Sequence, residues 1–255
     1  MSANAAEKGN ASEKANASEK ANAAGHFEVG AMRRDETGAV AKLHYQWFGP
    51  ELGRGSSLAM LGEDWLADAF YRANLDNPHQ GVQVARWDGR VIAFMHYATD
   101  RRRIARWTLA HAWPVLAWCT LRSIARAPCV LRHLLGNLAY VRGENLAFIP
   151  DSDAHWTLFA VEADFRAKEF EREHGIWVAG AMLEVMEADM RARGVPAWYA
   201  APAPDNPPIN KFMERVGAFR VGEAEAQGIA LLYWRKLLQP PTHAASLPAG
   251  QPGRL

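Results

Sequence analysis

Cysteine is scarce in this sequence of 255 residues: Cys119 and Cys129 are the only two. Two thiols cannot build a disulfide framework, and no metal-type spacing accompanies them, so buried free thiols in a reducing cytoplasm are expected. Net charge is nearly absent too. Lys and Arg number 29 against 28 Asp and Glu, a formal +1, so nothing global points to nucleic acid or membrane. Long apolar runs are also missing. The stretch from Trp107 to Leu121 is uncharged but contains His111 and Pro114, and it falls short of the ~20 residues that span a bilayer. No basic start leads into an apolar run either. A secretory signal is therefore not expected, and a cytoplasmic location is.

What is present is the balance of a soluble globular protein, 49% hydrophobic and 22% charged. Residues 5 to 22 are three near-copies of one hexapeptide, AAEKGN, ASEKAN and ASEKAN. Small and charged residues cannot bury enough apolar surface to offset their ordering entropy, so 1–25 reads as a disordered tail. The segment 239–255, rich in Pro and Gly, reads likewise. A single domain is expected over 26–238.

Within it, Phe27 to Met32 is a candidate strand. A helix follows, with Val40, Leu43, His44 and Trp47 at helical spacing. A second helix is expected from Glu63 to Leu75, with Trp65, Leu66, Ala69 and Phe70 on one face. Val82–Trp87 and Val91–Met95 flank Asp88-Gly89, a pair suited to the positive φ angles of a tight hairpin turn. Trp156 to Val161 is nearly all apolar, as in a strand buried on both faces. A helix is expected from Val178 to Arg193, with Ala179, Met182, Leu183, Met186 and Met190 in one stripe and Gly194 at its exit. A strand from Ala197 to Ala201 comes next. The last helix is framed by Asn206 as N-cap, Pro207 at the first position and Gly217 at C′, with Phe212 and Val216 on its buried face. Phe219–Val221 and Ile229–Trp234 close the domain. The expected fold class is α/β, in the α+β mixed-sheet sense: six or seven strands, helices on both faces, and a helical insertion over about 100–145.

Asp205-Asn206-Pro207-Pro208-Ile209-Asn210-Lys211-Phe212-Met213-Glu214-Arg215-Val216-Gly217-Ala218 resembles the last-helix pattern of the GNAT acetyltransferase superfamily. Leu158-Phe159-Ala160-Val161 resembles its central cofactor strand, and Ala181 to Val195 the helix that follows. The resemblance covers roughly residues 27 to 238. It implies an N-acyltransferase that moves an acetyl group from acetyl-CoA to a primary amine of a small, anionic acceptor. The alternatives are transfer of a longer acyl chain from CoA or a carrier protein, and a non-catalytic CoA-binding scaffold. On this resemblance the backbone of Phe159 and Val161 pairs with the pantetheine arm. Arg166, Gly175, Val178, Ala179, Gly180 and Ala181 surround the phosphates, and Asn206, Asn210 and Phe212 complete the cofactor site. A helix N-terminus suits the phosphates, because its orphan N–H groups and dipole favour an anion.

The chain departs from the family pattern twice. Between Arg166 and Gly175 lie eight residues where the family has a short phosphate loop, and several glutamates among them would oppose an anion. Gly175 and Gly180 have a plainer reading, a turn and close packing. Met213 stands where many members carry a tyrosine that protonates the leaving thiolate, which leaves water, or Tyr199 and Tyr233, whose plainer reading is core, as alternatives. Glu162, at the end of the central strand, is the candidate catalytic base. His155, at its start, is expected far from the cleft.

From Arg101 to Gly143 there are eight arginines and no carboxylate. Three readings compete for this insertion. It is a flap packed on the sheet, a lid whose Arg122, Arg126 and Arg132 bind an anionic acceptor, or a docking surface for a membrane or an acidic acyl carrier protein. A homodimer is a further expectation. Neither a metal nor a nucleic acid is expected.

Overall fold

The computed structural model describes residues 26–49, 58–128, 148–226 and 229–238. The expected tails, Cys129 and Arg132 lie outside them. Seven strands are described: β1 (Phe27–Ala31), β2 (Gln80–Trp87), β3 (Arg90–Ala98), β4 (Ala154–Val161), β5 (Ala197–Ala200), β6 (Phe219–Ala226) and β7 (Ile229–Leu237). They form one sheet in the order β1-β2-β3-β4-β5-β7-β6. All neighbours are antiparallel except β4 and β5. The β2–β3 turn is the expected one, with positive φ at both Asp88 and Gly89.

Helices cover both faces. Helix α1 is Thr37–Phe48, and Val40, Leu43 and His44 of its expected stripe are buried. Helix α2 begins at Glu63–Trp65, widens to a π-helix over Leu66–Tyr71 and tightens to a 3₁₀ turn at Arg72–Asn74. That change of pitch differs from the regular helix expected there. The Asn74 side chain donates to the Ala69 and Phe70 carbonyls, and Tyr71 turns inward to His44 Nδ1 at 2.8 Å. The insertion forms α3 (Arg101–His111) and α4 (Trp113–Arg126), with Pro114 in the first turn of α4, where its missing N–H costs nothing.

Two short helices, α5 (Ala163–Arg166) and α6 (Lys168–His174), fill the unexpected length after β4. Then come α7 (Val178–Ala192) and α8 (Pro207–Arg215). Both end as their glycines indicate. Val195 N–H bonds to the Met190 carbonyl and Ala218 N–H to that of Met213, with Gly194 and Gly217 at positive φ. Two details correct the expected faces. In α7 the inward set includes Val178 and Gly180, while Ala179 is half-buried. In α8 the fully buried residue is Met213, and Phe212 and Val216 flank it half-buried.

The core therefore has two sides. Ile92, Met95, Trp156, Trp198 and Trp234 pack under Met182, Met186 and Met190 of α7 and Met213 of α8. On the other face Val84 and Phe94 pack under Val40, Leu43, Leu66, Tyr71 and Cys119. Helix α4 rests on α2 rather than on the sheet: Trp65 Nε1 donates to Thr120 at 3.1 Å, and Ser123 donates to the Leu61 carbonyl. Charges that enter the core are paired. Arg86 bridges Glu36 at 2.5 Å, and Arg235 bridges Asp153 at 2.5 Å.

Candidate active site

β4 and β5 pair only at Ala154↔Trp198 and His155↔Tyr199, after which they part. The cause lies on the other side of β4. His96 opposes Leu158 and Tyr97 opposes Trp156, so Thr157 is an extra residue, a β-bulge. A bulge bends its strand and sharpens the local twist. This one stands two residues beyond the last β5 partner. Thr157 is fixed there by its hydroxyl, which donates to the His96 carbonyl at 3.1 Å and meets the His96 ring nitrogen.

Past the bulge, Glu162 N–H bonds to the Ile92 carbonyl of β3. Backbone groups alternate along a strand. Leu158 and Ala160 therefore bond towards β3, and the N–H and C=O of Phe159 and Val161 point to the edge that β5 has left. The expected edge residues are thus the ones that face the gap.

Helix α7 starts beside this edge. Its first intrahelical bond runs from Ala181 N–H to the Trp177 carbonyl, so Val178, Ala179 and Gly180 hold the orphan N–H groups of the first turn. The Trp177 ring packs over that turn so closely that a Cβ on Gly180 would overlap it. Gly180 is therefore required by Trp177, the plainer of its two readings. Phe212 also meets Trp177, at 5.8 Å between ring centroids, and Arg215 lies over the indole at 4.0 Å. Two of the glutamates expected to oppose an anion have arginines near them at the surface: Glu171 pairs with Arg215 at 3.9 Å and Glu169 with Arg172 at 4.0 Å. An open strand edge leading to a helix N-terminus fits a ligand with amides along its length and an anionic end.

On the sheet face away from α7, the point of divergence carries His155, Tyr199 and Tyr233. His155 stacks on Tyr199 at 4.5 Å with an interplanar angle of 3°, and Tyr199 on Tyr233 at 6.4 Å. The His155 ring is half-buried, and its Nδ1 is shielded and without a hydrogen-bond partner. Burial first, then the charges of Arg101 and His96, hold its pKa well below the ordinary histidine value. His155 was expected far from the cleft. It stands at its vertex, because the strands part at its own pair, and nothing local in the sequence announces a bulge.

The remaining expected residues are more scattered. Glu162 lies at the opposite end of β4, where Arg90 holds its carboxylate at 2.8 Å. Arg166 lies over the Trp47 ring at 4.5 Å. Gly175 ends α6 at φ +69°. Asn206 occupies the N-cap position without a side-chain cap bond. Asn210 does the local work instead: its amide donates to the Ala203, Pro204 and Asn206 carbonyls and accepts from Trp234 Nε1. Arg122 and Arg126 pair with Asp64 at 3.3 and 2.9 Å. They line a cavity of about 400 Å³ shared with Tyr45, Asp68, Cys119 and Ser123, and no residue of β4, β5 or α7 lines it.

No family model and no curated protein matches the chain. Solved structures do. SsHAT is similar over 84% of this chain and 99% of its own, at 17% identity and a TM-score of 0.54. The yncA protein of Salmonella typhimurium, solved with its cofactor acetyl-CoA, is similar over 88% and 99%, at 10% identity and 0.50. An acetyltransferase is similar over 83% and 100%, at 14% identity and 0.50. Identities this low speak for architecture alone, and the architecture of this chain is the GNAT acetyltransferase fold.

Proposed function

We propose that this protein is an N-acetyltransferase that moves an acetyl group from acetyl-CoA to a primary amine of a small acceptor. The observation that carries the reading is the parting of β4 and β5 at Thr157, which opens the edge of Phe159 and Val161 beside the first turn of α7. Those two backbones would hold the pantetheine amides, and the N–H groups of Val178, Ala179 and Gly180 would hold the phosphates. Bound acetyl-CoA supplies a thioester carbonyl, at which the amine forms a C–N bond while the C–S bond breaks. The chain's own contribution is position and proton handling. The His155 imidazole at the vertex is held neutral by burial, and one of its ring nitrogens would accept the proton that the attacking nitrogen loses. Tyr199 and Tyr233 beside it are the hydroxyls that can return a proton to the departing thiolate. The amine enters from their face and the donor from the α7 face.

Thiol release measured with acetyl-CoA and a panel of amines tests the activity, and longer acyl-CoA chains in the same assay test the length of the group moved. His155→Gln should lower kcat by roughly a hundredfold or more, the typical worth of a general base, and leave the KM for acetyl-CoA near its starting value. Undiminished turnover in that variant would remove His155 from the mechanism.

A further inference from the structure

Helices α3 and α4 carry an outward face that the acyltransfer reading leaves unused. On α4 the inward side is apolar, with Cys119 buried and Leu116 and Ile124 half-buried in the cluster that α2 shares. The outward side is apolar as well. Trp118 is 68% exposed, Leu121 63% and Trp113 60%, and Leu109 at the end of α3 is 60% exposed. A surface helix normally turns polar residues outward, and one that is apolar on both sides meets a second apolar medium. On α3, Arg102 and Arg106 recur at i and i+4 with Leu109 at i+7, one exposed stripe. From Arg101 to Pro128 the sequence contains no Asp or Glu.

We propose that α3 and α4 dock on an anionic lipid bilayer, lying in its interface. Tryptophan rings prefer the headgroup level, and leucine reaches the acyl boundary below it. Arginines beside such a face are drawn to the negative surface of anionic lipids. Among the described residues no helix is long and apolar enough to cross a membrane, and the attachment proposed is a peripheral one. An acidic carrier protein suits this face less well. The charges of α4, Arg122 and Arg126, are already paired with Asp64, and its outward stripe is Trp118 and Leu121. A second copy suits it less well too, since a symmetric contact would gather the arginines of both α3 helices.

Co-sedimentation of the full chain with phosphatidylcholine vesicles, with and without phosphatidylglycerol, tests the proposal. The protein should pellet with the mixed vesicles, far less with phosphatidylcholine alone, and less as salt rises. The exposed pair Trp118→Ser and Leu121→Ser should lower the bound fraction by about tenfold or more through lost apolar burial. Arg102→Ser with Arg106→Ser should abolish the preference for phosphatidylglycerol. Three results would overturn the proposal: no pelleting with mixed vesicles, binding unchanged by both variant pairs, or a wild-type dimer that the Trp118/Leu121 pair converts to monomer without any vesicle binding. The inference stands apart from the acyltransfer reading, because no acyl donor enters the experiment.

Discussion

Glu36 and Arg86 are both buried, and their pairing is what lets charge sit between β2 and the start of α1. Arg86 reaches Glu36 through Nε and Nη2 and also donates to the Ala31 carbonyl. Burial alone would raise the Glu36 pKa, but the hydrogen bonds from Arg86 and the Arg33 backbone hold it below the ordinary value. Glu36→Ala would leave the buried guanidinium with only the half-exposed Glu28 carboxylate, at 3.2 Å, and urea unfolding should show a loss of about 3 kcal/mol. The buried imidazoles act in the opposite sense. Burial lowers His44 to about 3, with the nearby His96 charge second, and lowers His96 to about 4. Each stays neutral when folded but takes a proton when unfolded below pH about 6.5. The unfolded chain therefore binds more protons between pH 6.5 and 4, and stability falls as pH falls through that window. Removing one titrating group, as in His96→Gln, should flatten this acid limb by on the order of 3 kcal/mol. An unchanged slope in urea titrations from pH 7 to 4 would contradict the assignment.

Element boundaries that depend on local chemistry were legible in the sequence. Asp88-Gly89 sets the hairpin turn, and Gly194 and Gly217 end α7 and α8, because positive φ is a property of the residue itself. Gly217→Ala, held at φ +79°, should cost about 1–2 kcal/mol in the same unfolding assay. The features that needed a partner were not legible. The bulge at Thr157 exists only against His96 and Tyr97 of β3, so β4 read as an unbroken buried strand and His155 as remote. The inward turn of Tyr71 in the π-turn of α2 likewise meets a distant partner, His44. Gly175 stops α6 at positive φ and Gly180 makes room for Trp177, the turn and the close packing that their spacing allowed beside the phosphate reading.

At the scale of the whole molecule, three surfaces are distinguished. The edge of β4 and the first turn of α7 lie on one side of the sheet, His155 and its tyrosines on the other, and α3, which begins close enough to His155 for Arg101 to lower its pKa, carries the third outward with α4. The gap between β4 and β5 joins the first two, and acetyl-CoA is predicted to bind there. Melting temperature with and without acetyl-CoA measures this most directly, since a ligand bound only by the folded state must stabilise it. At about a hundredfold excess over the dissociation constant the gain is roughly 2.7 kcal/mol, which for a domain of this size corresponds to a rise of roughly 5–10 °C. A rise of that order, weakened when Ala179→Pro removes one orphan N–H from the first turn of α7 in a chain that still folds, is the predicted result. No rise at millimolar acetyl-CoA would contradict the account.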